Sequence, residues 1–205
     1  MLSETLDRCY IAAQEDLMTL ALIPKHLDAR GNKLEETILS LCFGVSSLSL
    51  LAQIAISLPW TPVPITGQTF GVALIALLWG QRQGTLIVLS YFLLGSLGLP
   101  IFALGKSGLS IGPTSGYLLG MTIAAFAMGT LADRGWTRAF WRSYLAAATG
   151  SLIVFSFGLI GLSFFVPSQN LLSMGLWPFL PGDILKTILA SSIVFHSQKI
   201  GEKIK

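Results

Sequence analysis

The chain has 205 residues, of which 53% are hydrophobic and only 11% charged, with a mean hydropathy of +0.72. A water-soluble domain carries roughly 25% charged residues, so this composition excludes one and leaves an integral membrane domain with room for about six spans of ~20 residues and a tail. The net charge of +3 and the pI near 9.0 do not argue for nucleic acid, because the basic residues sit between apolar blocks and form no stripe.

Residues 1–33 hold five of the ten acids among Arg8, Lys25, Arg30 and Lys33. The segment lacks the basic start, apolar core and small-residue cleavage site of a signal peptide. Leu6, Tyr10, Ala13, Leu17 and Leu20 recur at three- and four-residue steps, predicting a cytoplasmic tail with an amphipathic surface helix that ends near Pro24. The membrane domain then occupies 34–205.

The first span is expected from Leu34 to Leu58. Ser40, Gly44 and Ser47 form a small-residue face on it where another helix can approach closely, from a partner or from within the chain. Pro59, Pro62 and Pro64 follow, and three prolines in six residues forbid regular helix. This stiff loop, with Trp60 and the hydrogen-bonding groups of Thr66 and Gln68, is expected to wall or cover a pocket. The second and third spans, Thr69–Trp79 and Thr85–Leu97, are both short and are separated by the turn 80–84. Short helices beside irregular loops place backbone at membrane depth, where it must be buried in protein or line a cavity.

The stretch from Gly98 to Tyr117 is rich in Gly and Pro yet apolar, which suits a loop folded back into a cavity. Gly105-Lys106-Ser107 has the ending of a phosphate loop, but the glycine needed five residues earlier is Pro100. The fourth span runs from Ser115 to Leu131, a basic loop with Trp136 and Trp141 follows, and the fifth runs from Ser143 to Val166. The sixth opens on Pro181, a suitable first helical residue.

Charge fixes the orientation. With both ends cytoplasmic, eleven of the thirteen basic residues fall on the inner side, Lys106 faces out and Lys186 lies within a span. The Pro-rich loop, the Gly-rich loop and the start of the sixth helix then share the outer side. Asp183 and Lys186, three residues apart, share one helix face there. Each costs ~2.5–3.5 kcal/mol inside a membrane-length segment, so the pair marks a binding site more readily than a structural ion pair.

Such a pocket offers a carboxylate, an ammonium, Gln68, Thr66, Thr114, Ser115 and Tyr117 among Trp60, Phe102 and other apolar groups. It suits a small amphiphile with a neutral head that both donates and accepts hydrogen bonds. A proton-coupled carrier also uses an acid–base pair, but no inverted repeat is visible. No Ser/His/Asp set or paired acids support an enzyme. Cys9, Cys42, His26 and His196 lie apart from any ligand spacing, and no metal or cofactor is expected.

Val63-Pro-Ile-Thr-Gly-Gln-Thr69, Gly98-Leu-Pro-Ile-Phe102, Gly112-Pro-Thr-Ser-Gly-Tyr117 and Pro181-Gly-Asp-Ile-Leu-Lys186 resemble the signature blocks of BioY, the biotin-capturing S subunit of energy-coupling-factor (ECF) transporters. The resemblance covers roughly residues 36–200, in order and with matching spacing. It implies an all-α, six-helix membrane fold that binds biotin from outside, with Asp183 and Lys186 on the ligand. Chemistry would set Asp183 on the ureido N–H groups and Lys186 on the ureido oxygen, with Gln68 and Tyr117 as supporting wall and Lys106 drawing the valerate carboxylate. It also implies docking on a T subunit driven by two ATPases, with no nucleic acid partner. Two departures stand out. Ser115 replaces a glycine usual in the family, and Ser40, Gly44 and Ser47 stand where related S subunits tend to show alanines. An S component for another vitamin, or a proton-coupled carrier, is the alternative.

Overall fold

In the computed structural model, residues 33–108 and 112–203 are described. The predicted tail helix lies outside them. Helix α1 (Lys33–Gln53) leads into a two-residue antiparallel strand pair, β1 (Ala55–Ile56) and β2 (Ile65–Thr66), with Ala55 opposite Thr66. The prolines fill the connection, where missing N–H groups disturb no ladder. Helix α2 (Gln68–Ser96) is followed by a 3-10 turn (Ala103–Gly105), α3 (Ser115–Asp133), a second 3-10 turn (Trp136–Arg138), α4 (Phe140–Leu162), short α5 (Leu171–Gly175) and α6 (Leu180–Lys203).

Helix α2 is not one rod. Gly80 has φ 73° and ψ −171°, outside any helix. The Gln68 side chain reaches the Tyr91 hydroxyl at 2.7 Å, although 23 residues of straight helix would separate them by about 35 Å. A methyl group built on Gly84 would sit 2.9 Å from the Ala76 Cα. The segment is therefore a helical hairpin, with arms α2a (68–79) and α2b (81–96). The Asp133 carboxylate at the end of α3 accepts the Gln81 N–H at 3.1 Å, restarting the helix after the turn. The two short predicted spans are thus present, but the expected loop over 80–84 contracts to a kink at one glycine.

Six helical segments, α1, α2a, α2b, α3, α4 and α6, make the bundle. α3 packs on both α2 and α4, α1 on α2, and α6 on α4 and α2. The interior is rich in small side chains, among them Ala52, Ala76, Ala124, Ala146 and Ala190, while Leu50, Leu152, Ile160, Leu185 and Ile193 point outward. An apolar outside over a small-residue inside is the packing expected when lipid is the solvent and close van der Waals contact joins the helices. The chain is a multi-pass membrane protein.

The small-residue face expected on α1 is packed mainly within the chain. Ser40 is 8% exposed, and Gly44 lies under Ile87, whose side-chain carbons would be 2.6–3.0 Å from an added methyl. Ser47 is half-buried. The small residues bring α2b close within the chain, and the outward face of α1 carries Leu39, Cys42, Phe43, Ser46 and Leu50 instead.

Candidate functional site

A cavity of about 380 Å³ lies at the end of the bundle that carries the two unusual loops. β2 and the start of α2a bring Thr66, Gln68 and Thr69 to one wall, and Val63 and Pro64 come from the Pro-rich connection. The Gly-rich loop supplies Phe102, Ala103 and Lys106, the start of α3 supplies Thr114 and Tyr117, and the first turns of α6 supply Asp183 and Lys186. All seven residues expected on substrate (Asp183, Lys186, Gln68, Thr66, Phe102, Thr114 and Tyr117) line this one space. Trp60 and Ser115 do not. Trp60 is 58% exposed, and the Ser115 hydroxyl turns back on the Gly112 carbonyl at 2.7 Å.

Helix α6 puts its polar residues inward because they recur every four. Asp183, Thr187 and Ser191 are all buried, and each Thr187 and Ser191 hydroxyl donates to the carbonyl one turn back, at 2.8 and 2.7 Å. Asp183 sits in the first turn, where its negative charge meets the free N–H end of the helix. Ser151 of α4 lies beside its carboxylate. The Lys186 ammonium donates to the Thr66 backbone carbonyl at 2.7 Å and reaches the Thr69 hydroxyl at 3.5 Å. The two charges are neighbours, but no direct hydrogen bond joins them among the described residues; Lys186 holds β2 instead.

The remaining polar groups stiffen the walls. The Thr66 hydroxyl donates to Gln68 Oε1 at 3.2 Å, Gln68 Nε2 donates to the Tyr91 hydroxyl at 2.7 Å, and that hydroxyl donates to the Ile101 carbonyl at 3.0 Å. Tyr91 is not legible as a site residue, since no local pattern on its arm distinguishes it; its partners are 10 and 23 residues away. Tyr117 donates to the Gly175 carbonyl at 2.7 Å, and the Thr61 hydroxyl donates to the Met174 carbonyl at 2.7 Å, so α5 ties α3 to the Pro-rich loop. Leu118, Met121, Val154, Phe155 and Phe179 complete an apolar body that the sequence reading missed. The Asp183–Thr187–Ser191 spacing was the available signal for the inward face of α6; α4 carries no comparable one.

A few charged and polar groups set among apolar walls fit a small amphiphile, and the volume lies within the ~300–1,000 Å³ of small-molecule sites. A sequence profile of the BioY family matches residues 26–203. The chain belongs to the BioY family. Relatives in that family include a biotin transporter BioY of Thermotoga maritima, 37% identical over 161 residues that cover 77% of this chain and 94% of the relative. A probable biotin transporter BioY of Pyrococcus horikoshii is 37% identical over 156 residues, covering 75% of this chain and 91% of its own. A crystal structure of the S-component for biotin from an ECF-type ABC transporter superposes with a TM-score of 0.75 at 28% identity, covering 83% of this chain and 95% of that one. The family fold is thus present over most of the chain.

Proposed function

We propose that the chain is the biotin-capturing S component of an ECF transporter. The observation that carries this reading is the convergence of Asp183 and Lys186 on one cavity whose other walls are mostly apolar. A cyclic urea needs an acceptor for its two N–H groups and a donor for its oxygen, and the carboxylate and ammonium supply both. The fused ring and alkyl chain then lie against Phe102, Tyr117, Met121 and Val154. Capture is from the outer side, where the charge asymmetry puts both loops. Delivery to the cytoplasm uses a T subunit and two ATPases; the chain binds and carries but does no chemistry.

The test is equilibrium binding of radiolabelled biotin to the purified full chain in lipid nanodiscs, with thiamine and riboflavin as competitors. Saturable binding of one biotin per chain, not displaced by the others, supports the reading. Tight capture of a different vitamin with biotin excluded overturns it.

Lys106 lines the cavity from an exposed loop position. Lys106→Ala is expected to weaken biotin by roughly three-fold, the scale of an exposed ion pair. The loss shrinks as salt is raised, and biotin methyl ester binds wild type and variant equally. Competition titrations at two ionic strengths check this.

A further inference from the structure

The Gly-rich loop closes a small backbone turn, with the Phe102 N–H on the Lys106 carbonyl at 3.1 Å and the Lys106 N–H on the Ala103 carbonyl at 3.3 Å. Leu104 adopts the left-handed region at φ 61°, and Gly105 follows it at φ 65°. A leucine held there is strained and persists only where its surroundings impose it. Two side chains outside the loop reinforce that backbone turn. From the buried side, the Tyr91 hydroxyl donates to the Ile101 carbonyl at 3.0 Å. From the outer side, Gln53, the last residue of α1, spans the same turn: its Nε2 approaches the Ile101 and Phe102 carbonyls at 3.4 and 3.2 Å, and its Oε1 accepts the Gly105 N–H at 3.1 Å. That amide also touches its own helix at the Ser49 carbonyl, 3.3 Å away. The Ile101 carbonyl therefore takes both grips. Between them stand Phe102, packed edge-on to the Tyr91 ring at 5.5 Å, and Ala103, both of which line the cavity.

We infer that Gln53 and Tyr91 are positioning residues that clamp residues 101–105 from opposite sides and so hold the apolar wall against the ligand. Neither lines the cavity. Tyr91 further joins this wall, through Gln68 and Thr66, to the carbonyl on which Lys186 rests, so the wall and the cation belong to one hydrogen-bonded chain. The inference extends the capture reading, but the clamp itself does not depend on which vitamin is bound.

The test combines amide hydrogen exchange on the ligand-free full chain in nanodiscs with biotin dissociation rates, for Gln53→Ala, Tyr91→Phe and the double variant. Gln53→Ala removes the acceptor of the Gly105 N–H, so exchange at Gly105 rises by about five- to ten-fold, the scale of one lost hydrogen bond. Tyr91→Phe keeps the ring and loses only the hydroxyl. Each single variant speeds biotin release by about five-fold. The double variant falls short of the product of the two, because both act on one carbonyl. Gln53→Glu retains the acceptor, so protection at Gly105 returns while release stays fast. Unchanged exchange over 101–106 in Gln53→Ala overturns the clamp even where biotin binds well. Strictly multiplicative rates in the double variant overturn it too. Should biotin fail to bind wild type, the exchange arm still decides the clamp while the capture reading falls.

Discussion

Asp183→Asn is expected to weaken biotin capture by roughly 150-fold, about 3 kcal/mol, while leaving the bundle assembled. The carboxylate can accept both ureido N–H groups at once through charge-assisted bonds, each stronger than a neutral one. Asparagine has nearly the same shape but offers one oxygen, and its amide turns a donor toward a donor. Lys186 is left beside it, still seated on the Thr66 carbonyl, so the fold keeps that contact. Lys186→Ala is the harsher change. It removes the donor for the ureido oxygen and also the bond that holds β2, so binding and thermal stability fall together, whereas Lys186→Gln retains part of the β2 contact. Isotherms and melting curves, recorded with and without biotin, separate these cases. Wild-type affinity in Asp183→Asn would remove the α6 pair from the ligand.

The second large effect lies at the other end of the molecule. Gly80→Ala is expected to destabilise the chain by about 3 kcal/mol or more, by forcing a side chain into backbone territory essentially reserved for glycine. Its φ of 73° and ψ of −171° close the α2 hairpin. A Cβ there would also collide with the Asp133 carboxylate, which is the acceptor for the Gln81 N–H. The same methyl cannot be added without breaking the bond that restarts the helix. Gly182→Ala serves as the control, since nothing lies within 4 Å of a Cβ at that position and its φ is not positive. Thermal unfolding in detergent, followed by tryptophan fluorescence, should lower the midpoint for Gly80→Ala and leave Gly182→Ala near wild type. Combining Gly80→Ala with Asp133→Ala should cost less than the sum of the two, because one collision is relieved.

Much of the site could be read from charge and composition because polar groups are scarce in a lipid-facing chain. Asp183 and Lys186 stand out against hydrocarbon, and the positive-inside pattern sets them beside both unusual loops before any contact is known. What sequence could not supply was direction around an apolar helix. Ser40 and Gly44 formed a small-residue face by spacing, yet spacing does not say whether a partner chain or α2b fills it; Ile87 does. Trp60 belongs to the right loop but does not line the cavity. Tyr91 and Gln53 escaped notice for a different reason. Their roles come from bonds spanning 10 to 52 residues, and such pairings are set by tertiary packing rather than by local pattern. Gly80-Gln-Arg-Gln-Gly84 has the composition of a loop, whereas the Asp133 cap on the Gln81 N–H lets helix resume at once.

The folded α2 segment also bears on the membrane around the protein. At about 1.5 Å per residue, arm α2b is only about 24 Å long, some 6 Å less than the ~30 Å hydrocarbon slab. Leu86, Leu89, Leu93 and Leu94 on this arm are exposed, so lipid tails meet it directly. Such a shortfall is met by local thinning of the bilayer, by snorkelling of flanking residues or by association, at a fraction of a kcal/mol per ångström. Where thinning is the response, the bilayer is thinner on this flank than on the other, and reconstitution into shorter-chain lipids is expected to stabilise the protein.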